Sequence, residues 1–136
     1  FRAAETEDED LKEMGRLMEF WGIPTPVSIV ECRSAGAYVI ASGGVRSGLD
    51  IARSLALGAD LAGASLPFLS PATEGRDAVV RTVRSYIRAL RMTMFLTGSQ
   101  DLKQLGRSPL VVLGRTREWL EARGFDMNAF SVYREL

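Results

Sequence analysis

Apolar residues recur at helical spacing over Leu11 to Trp21, where Leu11, Met14, Leu17, Met18 and Trp21 fall three and four residues apart. The acidic run Glu7 to Asp10 precedes them, suited to the positive end of a helix dipole, and Gly22 is a reasonable stop. Thr25 before Pro26 reads as an N-cap with proline at the first helical position, opening a short helix to about Arg33. The period then changes. Ala37 to Ala41 is an unbroken apolar run bounded by glycines, which predicts a strand buried on both faces. Leu49 to Leu57 returns to helical spacing, with Leu49, Ala52, Leu55 and Ala56 on one stripe and Gly58 at its end. Asp60 to Leu66 is a second strand-like run. From about Glu74 to Leu96 a long amphipathic helix is predicted, with Val79, Val80, Val83, Ile87, Leu90 and Met94 as its apolar stripe. A short helix near Gln100 to Leu105, a strand-like Leu110 to Leu113 and a helix from Thr116 to Arg123 follow, punctuated by Gly114 and Gly124.

Strand, glycine turn, helix, strand, long helix is the βαβα order of α/β folds. Two parallel strands leave both edges open and do not make a stable domain alone. The pattern therefore predicts part of a larger fold, or a chain completed by another copy of itself. The start at Phe1, leading directly into the charged run from Arg2, is read as a start inside a loop.

Composition narrows the chemistry. Lys and Arg total 17 against 17 Asp and Glu, so the formal net charge is zero and neither nucleic acid nor an anionic membrane is an expected partner. Arg81, Arg84, Arg88 and Arg91, opposite an apolar stripe, read as a solvated face, and the Glu7 to Asp10 run as dipole compensation rather than a metal site. No apolar run approaches bilayer length. Cys32 is the single cysteine, which excludes an internal disulfide, favours a reducing cytoplasm and reads as a buried small hydrophobe. Trp21 and Trp119 are expected to pack. Histidine is absent, so Ser-His and Cys-His nucleophiles and His-based metal sites are excluded within these residues.

The chemistry-bearing stretch is Ser42-Gly43-Gly44-Val45-Arg46-Ser47-Gly48, between a predicted strand and a predicted helix. Glycines allow positive φ and close approach of a ligand, and the helix start offers unpaired N–H groups. Arg46 adds a fork of donors suited to phosphate oxygens. By itself such a turn is also what any tight βα connection needs. A second glycine-rich strand end, Gly63-Ala64-Ser65-Leu66-Pro67, follows one βα unit later, and in barrels the loops after strands seven and eight often form one phosphate site.

Ala41 to Asp60, reading ASGGVRSGLDIARSLALGAD, resembles the strand-seven signature of FMN-dependent (β/α)8 barrels, among them 2-hydroxy-acid oxidases and type 2 isopentenyl-diphosphate isomerases. Met94 to Ser99, MFLTGS, resembles a segment shared by both groups. Trp21-Gly22-Ile23-Pro24-Thr25 is similar to the isomerases' WG-[IV]-PT sequence, and Pro109 to Gly124 resembles their C-terminus. The oxidases carry a catalytic His-Gly-x-Arg-Gln segment, absent here, and usually Asp at the position of Ser42. The resemblance covers nearly the whole chain except its acidic start. It implies an α/β fold, the C-terminal portion of a TIM barrel made of about the last two βα units plus a C-terminal helical extension. Residues 1–136 would then form one incomplete domain.

The implied activity is interconversion of isopentenyl diphosphate and dimethylallyl diphosphate, with reduced FMN, Mg2+, and NADPH as flavin reductant, in a cytoplasmic homo-oligomer. The resemblance assigns FMN contacts to Gly43, Gly44, Val45, Arg46, Ala64 and Ser65. It places no catalytic or metal-binding residue in this stretch, so these residues alone are expected to be inactive. A fragment of a 2-hydroxy-acid oxidase-like barrel, and a non-catalytic phosphate-binding fragment, are the alternatives.

Overall fold

The computed structural model describes residues 6–132; Phe1, Arg2 and the reading of the chain start lie outside the described residues. Helix α1 spans Glu9–Leu17, and Asp8 caps it by accepting from the amides of Asp10 and Leu11. The acidic run thus compensates the helix start, as expected. The helix stops at Leu17, before the expected Trp21, and its apolar side faces out: Trp21 is 80% exposed and makes no packed core. Helix α2 follows at Thr25–Ser34. Its N-cap is Pro24 rather than Thr25, because Pro24 already has the extended ψ of 138° that a cap requires. Cys32 lies on the exposed side of α2 instead of in the core, since Val27, Ile29 and Val30 take the buried positions.

Strands β1, Ile40–Ala41, and β2, Leu61–Ala62, pair in parallel with Ile40 opposite Leu61 and Ala41 opposite Ala62. Helix α3, Gly48–Ala56, connects them. Burial on β1 alternates, contrary to the expectation of two covered faces. Val39 and Ala41 pack with Ile29 of α2 and with Ala59, whereas Tyr38 and Ile40 are exposed, as is Leu61. One face of the sheet is covered by helices and the other is open.

The stretch after β2 departs most from expectation. Leu66 begins a helix, α4 at Leu66–Glu74, with Pro67 in its first turn and Pro71 inside it. The long helix, α5 at Arg76–Leu96, therefore starts after Gly75, whose φ of 113° breaks the chain between the two. Its packed face keeps only part of the expected stripe: Leu90 and Met94 pack against Ala52, Leu55 and Leu105. Ala78 and Tyr86 are buried, while Val83 and Ile87 are largely exposed. The reason is Gly48, whose missing side chain lets α3 and α5 touch backbone to backbone; a Cβ there would lie 2.1 Å from the Tyr86 carbonyl oxygen. Leu49, expected inside, is 40% exposed. Arg81, Arg84, Arg88 and Arg91 are all exposed, as expected.

Helix α6, Leu102–Arg107, packs Leu105 against Ala52 and Leu55. Leu110 to Leu113 forms no strand: Leu110 and Val112 face the core, Val111 and Leu113 face out, and the Leu110 amide bonds the Phe130 carbonyl. Helix α7, Gly114–Ala122, then returns the chain to α2, burying Leu120 with Val27, Val30 and Phe130, and Trp119 packs against this cluster. Two side-chain links join this seam. Arg123 pairs with Glu31 at 2.8 Å, and Arg115 donates to the Phe20 carbonyl while its guanidinium lies 4.6 Å from the Phe20 ring.

Candidate functional site

Strand β1 ends at Ala41, and Gly43 and Gly44 follow with φ of 91° and 80°. These are left-handed values that a side chain disfavours by about 1–2 kcal/mol per residue. Thr25, expected as a cap, instead backs this turn: a Cβ on Gly43 would lie 3.1 Å from its hydroxyl oxygen. Val45 is buried and anchors the turn to the core, while Arg46 projects into solvent with no ion pair or hydrogen bond of its guanidinium among the described residues. Ser47 then caps α3, accepting from the Asp50 amide.

The second loop runs from β2 into α4. Its Gly63 amide is committed to the Ala41 carbonyl at 2.8 Å, which ties the two strand ends together. Residues 42–46 of the first loop and 63–67 of the second line one cleft of ≈ 320 Å3. All six residues singled out from the sequence, Gly43, Gly44, Val45, Arg46, Ala64 and Ser65, therefore meet in one place.

Hydrogen bonding decides what the cleft can hold. The amides of Gly43, Gly44, Val45, Ala64 and Ser65 donate to no protein acceptor among the described residues. The residues that carry these five free donors line one concavity, beside an unpaired guanidinium and the first turn of α4, a donor set that fits an anion with several oxygens, such as a phosphate monoester. The Arg46 amide is the exception, being held by the Asp50 carboxylate at 3.1 Å.

Asp50 also accepts from the Ser47 hydroxyl at 2.9 Å and lies 3.4 Å from the Arg53 guanidinium. Burial pushes its carboxyl up, but the Ser47 hydroxyl, the Arg46 amide and the Arg53 charge together outweigh that and leave it below the usual carboxylate range. Tyr86, against the far side of Gly48, is pushed up by burial and by the negative charge of Asp50.

Two contributors are missing from the sequence-based site. One is helix α4: Leu66 and Pro67, read from the sequence as the end of the second loop, form its first turn, where proline is favoured. Asp50 is the other; Ser47-x-x-Asp50 has the form of a reciprocal capping pair. Among the described residues, no three His, Cys, Asp or Glu side chains gather as a metal site would require. No helix there is long and apolar enough to cross a membrane.

Comparison with known proteins fits this geometry. A family model described as FMN-dependent dehydrogenase matches residues 23–112, which include both loops and every residue of the cleft. A protein of Methanothrix thermoacetophila named isopentenyl-diphosphate delta-isomerase is 57% identical over 134 residues, covering 98% of this chain and 38% of that protein. Proteins of the same name from Methanosarcina mazei and Halobacterium salinarum are 45% and 47% identical, over 97% and 90% of this chain and 36% and 34% of their own lengths. The chain thus spans little more than a third of the relatives it matches. With the glycine turn, the paired parallel strands and the cleft all inside the matched region, the chain belongs to the FMN-dependent dehydrogenase family.

Proposed function

We propose that the protein carrying this chain is an FMN-dependent isomerase that interconverts isopentenyl diphosphate and dimethylallyl diphosphate. The observation that supports it is the convergence of five free amides and Arg46 in one cleft, in a chain 57% identical to a protein of that name. In this reading β1 and β2 are the seventh and eighth strands of a TIM barrel, and α4 is the short extra helix that barrels place at a phosphate site. Residues 110–130 are the helical extension, and residues 1–136 form part of one domain.

Gly43, Gly44, Val45, Ala64 and Ser65 hold the FMN phosphate through their amides, and Arg46 adds a charged fork. Reduced flavin, when bound, supplies acid–base chemistry for a reaction that moves a proton across an allylic unit without net redox change. This chain's residues fix the cofactor's phosphate end and so orient its ring; they contribute no proton-transfer group. Mg2+ would serve the substrate diphosphate, with its ligands supplied from outside this stretch, and NADPH would be the flavin reductant. The protein is a cytoplasmic homo-oligomer with no nucleic-acid or membrane partner.

The test is turnover. The complete natural protein, given FMN, a reductant, Mg2+ and isopentenyl diphosphate, is expected to form dimethylallyl diphosphate, and to form none without flavin. Residues 1–136 alone are expected to form none. Oxidation of lactate or glycolate, without isomerisation, would overturn the reading in favour of a 2-hydroxy-acid oxidase.

A further inference from the structure

The Arg46 amide belongs to the same loop as the free amides of the cleft, yet it is spent on a carboxylate four residues ahead. Asp50 Oδ2 accepts from that amide at 3.1 Å and from Ser47 Oγ at 2.9 Å, and Ser47 Oγ in turn accepts from the Asp50 amide at 3.3 Å. One carboxylate oxygen therefore ties the end of the glycine turn to the first turn of α3. Peptide planarity turns this bond into a constraint on the whole Val45–Arg46 unit. The buried Val45 side chain anchors the turn from the opposite side. Between these two fixed points and the end of β1 lie Gly43 and Gly44, whose φ values of 91° and 80° a glycine does not hold unaided.

The same carboxylate has an opposing effect. It is a negative charge at the start of α3, where it already compensates the helix dipole, and it repels a second anion nearby. Arg53 at 3.4 Å offsets part of that repulsion. The number of bonds made to the loop favours the first effect over the second.

We infer that Asp50 is a positioning residue for the cofactor phosphate, acting through the Arg46 amide and the Ser47 hydroxyl to hold the turn that carries the free amides and lines the cleft. This rests on the phosphate reading of the cleft, so the experiment separates the two. Apo-protein, prepared from the complete natural protein, is titrated with FMN and with riboflavin, which lacks the phosphate. Wild type binding both equally would sink the phosphate reading itself. If wild type prefers FMN, Asp50→Ala is expected to weaken FMN about tenfold and to leave riboflavin within about twofold.

Asp50→Asn keeps an oxygen acceptor for the Arg46 amide and is expected to recover most of the FMN affinity. Equal loss of both ligands in Asp50→Ala would reduce Asp50 to a general stabiliser of the fold. Unchanged FMN binding would remove it from the site, and tighter FMN binding in both variants would make repulsion its main effect; each outcome overturns the inference. Should Asp50→Ala not fold, Ser47→Ala leaves the carboxylate and its bond to the Arg46 amide, and removes the hydroxyl's bond to Asp50 Oδ2 together with its cap on the Asp50 amide. It is expected to weaken FMN about threefold with riboflavin unchanged, and equal effects on both ligands would again overturn it.

Discussion

The loop after β1 and the loop after β2 line the same cleft, but they are held by different means. The first has a carboxylate, a serine cap, a buried valine and two left-handed glycines fixing it. Among the described residues the second has two backbone bonds, Gly63 to Ala41 and Phe68 to Ser65, and the packing of Phe68 on Tyr86, with no side-chain cap from Ser65. A loop fixed before binding loses little freedom when the ligand arrives, whereas a loosely held one is ordered by the ligand. On the proposed function, the first loop is therefore expected to set where the phosphate sits and the second to adapt to it.

The largest test removes the foundation of the first loop. Gly48→Ala drives a Cβ to within 2.1 Å of the Tyr86 carbonyl and 2.6 Å of the Leu90 amide nitrogen. Because both neighbours are backbone, no rotamer change relieves the clash, and a loss of about 3 kcal/mol is expected, measured by chemical denaturation. A loss below about 0.5 kcal/mol, the usual surface value, would mean that α3 and α5 are not in backbone contact. Next in size, Arg46→Ala should weaken FMN roughly ten- to hundredfold, the worth of a charge-assisted hydrogen bond of about 1.5–3 kcal/mol. Binding survives because the free amides remain. An unchanged dissociation constant would leave Arg46 as a surface residue.

The adaptable loop should respond less. Ser65→Ala removes a hydroxyl but leaves the amide, so FMN should weaken by less than about tenfold, as for a neutral hydrogen bond. A greater loss than for Arg46→Ala would reverse the ranking of the loops. The smallest effect is one of pH. The Asp50 carboxyl in the fold sits below the ordinary value of about 3.9, so its contribution to stability is complete above that pH. It is lost as pH falls through the folded value. Residues 63–67 contain no titrating side chain. In an acid titration followed by NMR, the Arg46 amide should therefore shift with a midpoint below about 3.9, and the Ala64 amide should stay flat. Parallel shifts of the two would show that the carboxylate does not act locally.

Both loops of the cleft are legible in the amino-acid sequence. The turn of Ser42 to Gly48 is readable because glycine pairs after an apolar run leave few alternatives, and both strands fall where the apolar runs put them, though shorter. Helix α4 is not legible, since Pro67 and Pro71 look like breakers. Pro67 sits in the first turn, where its missing N–H has no partner to lose, and Phe68 recovers packing against Tyr86, with ring centroids 5.2 Å apart. The packed face of α5 departs from its periodicity for a different reason. Hydrophobic spacing favours its valines, but the close contact with Gly48 falls on the side of Tyr86, Ala89 and Leu90. Thr82 and Thr93 can flank that face because each hydroxyl bonds the carbonyl four residues back, in Ala78 and Ala89. Asp50 gives no signal of its own because an acidic residue near a helix start is ordinary, and only the geometry reveals its link to Arg46.

The seam between α2 and α7 has a consequence for the order of folding. Its Arg123–Glu31 pair closes a chain separation of 92 residues, whereas Arg33–Asp60 beside the strands closes 27. Closing the longer loop costs about 1 kcal/mol more in chain entropy, and contacts so distant in sequence tend to form late. The β1-α3-β2 unit with α5, which carries the cleft, draws on nearer partners and can assemble before that ring is closed. Truncating Leu120 in the seam should then speed unfolding far more than it slows folding, and the cleft would be among the first parts of this chain to take shape.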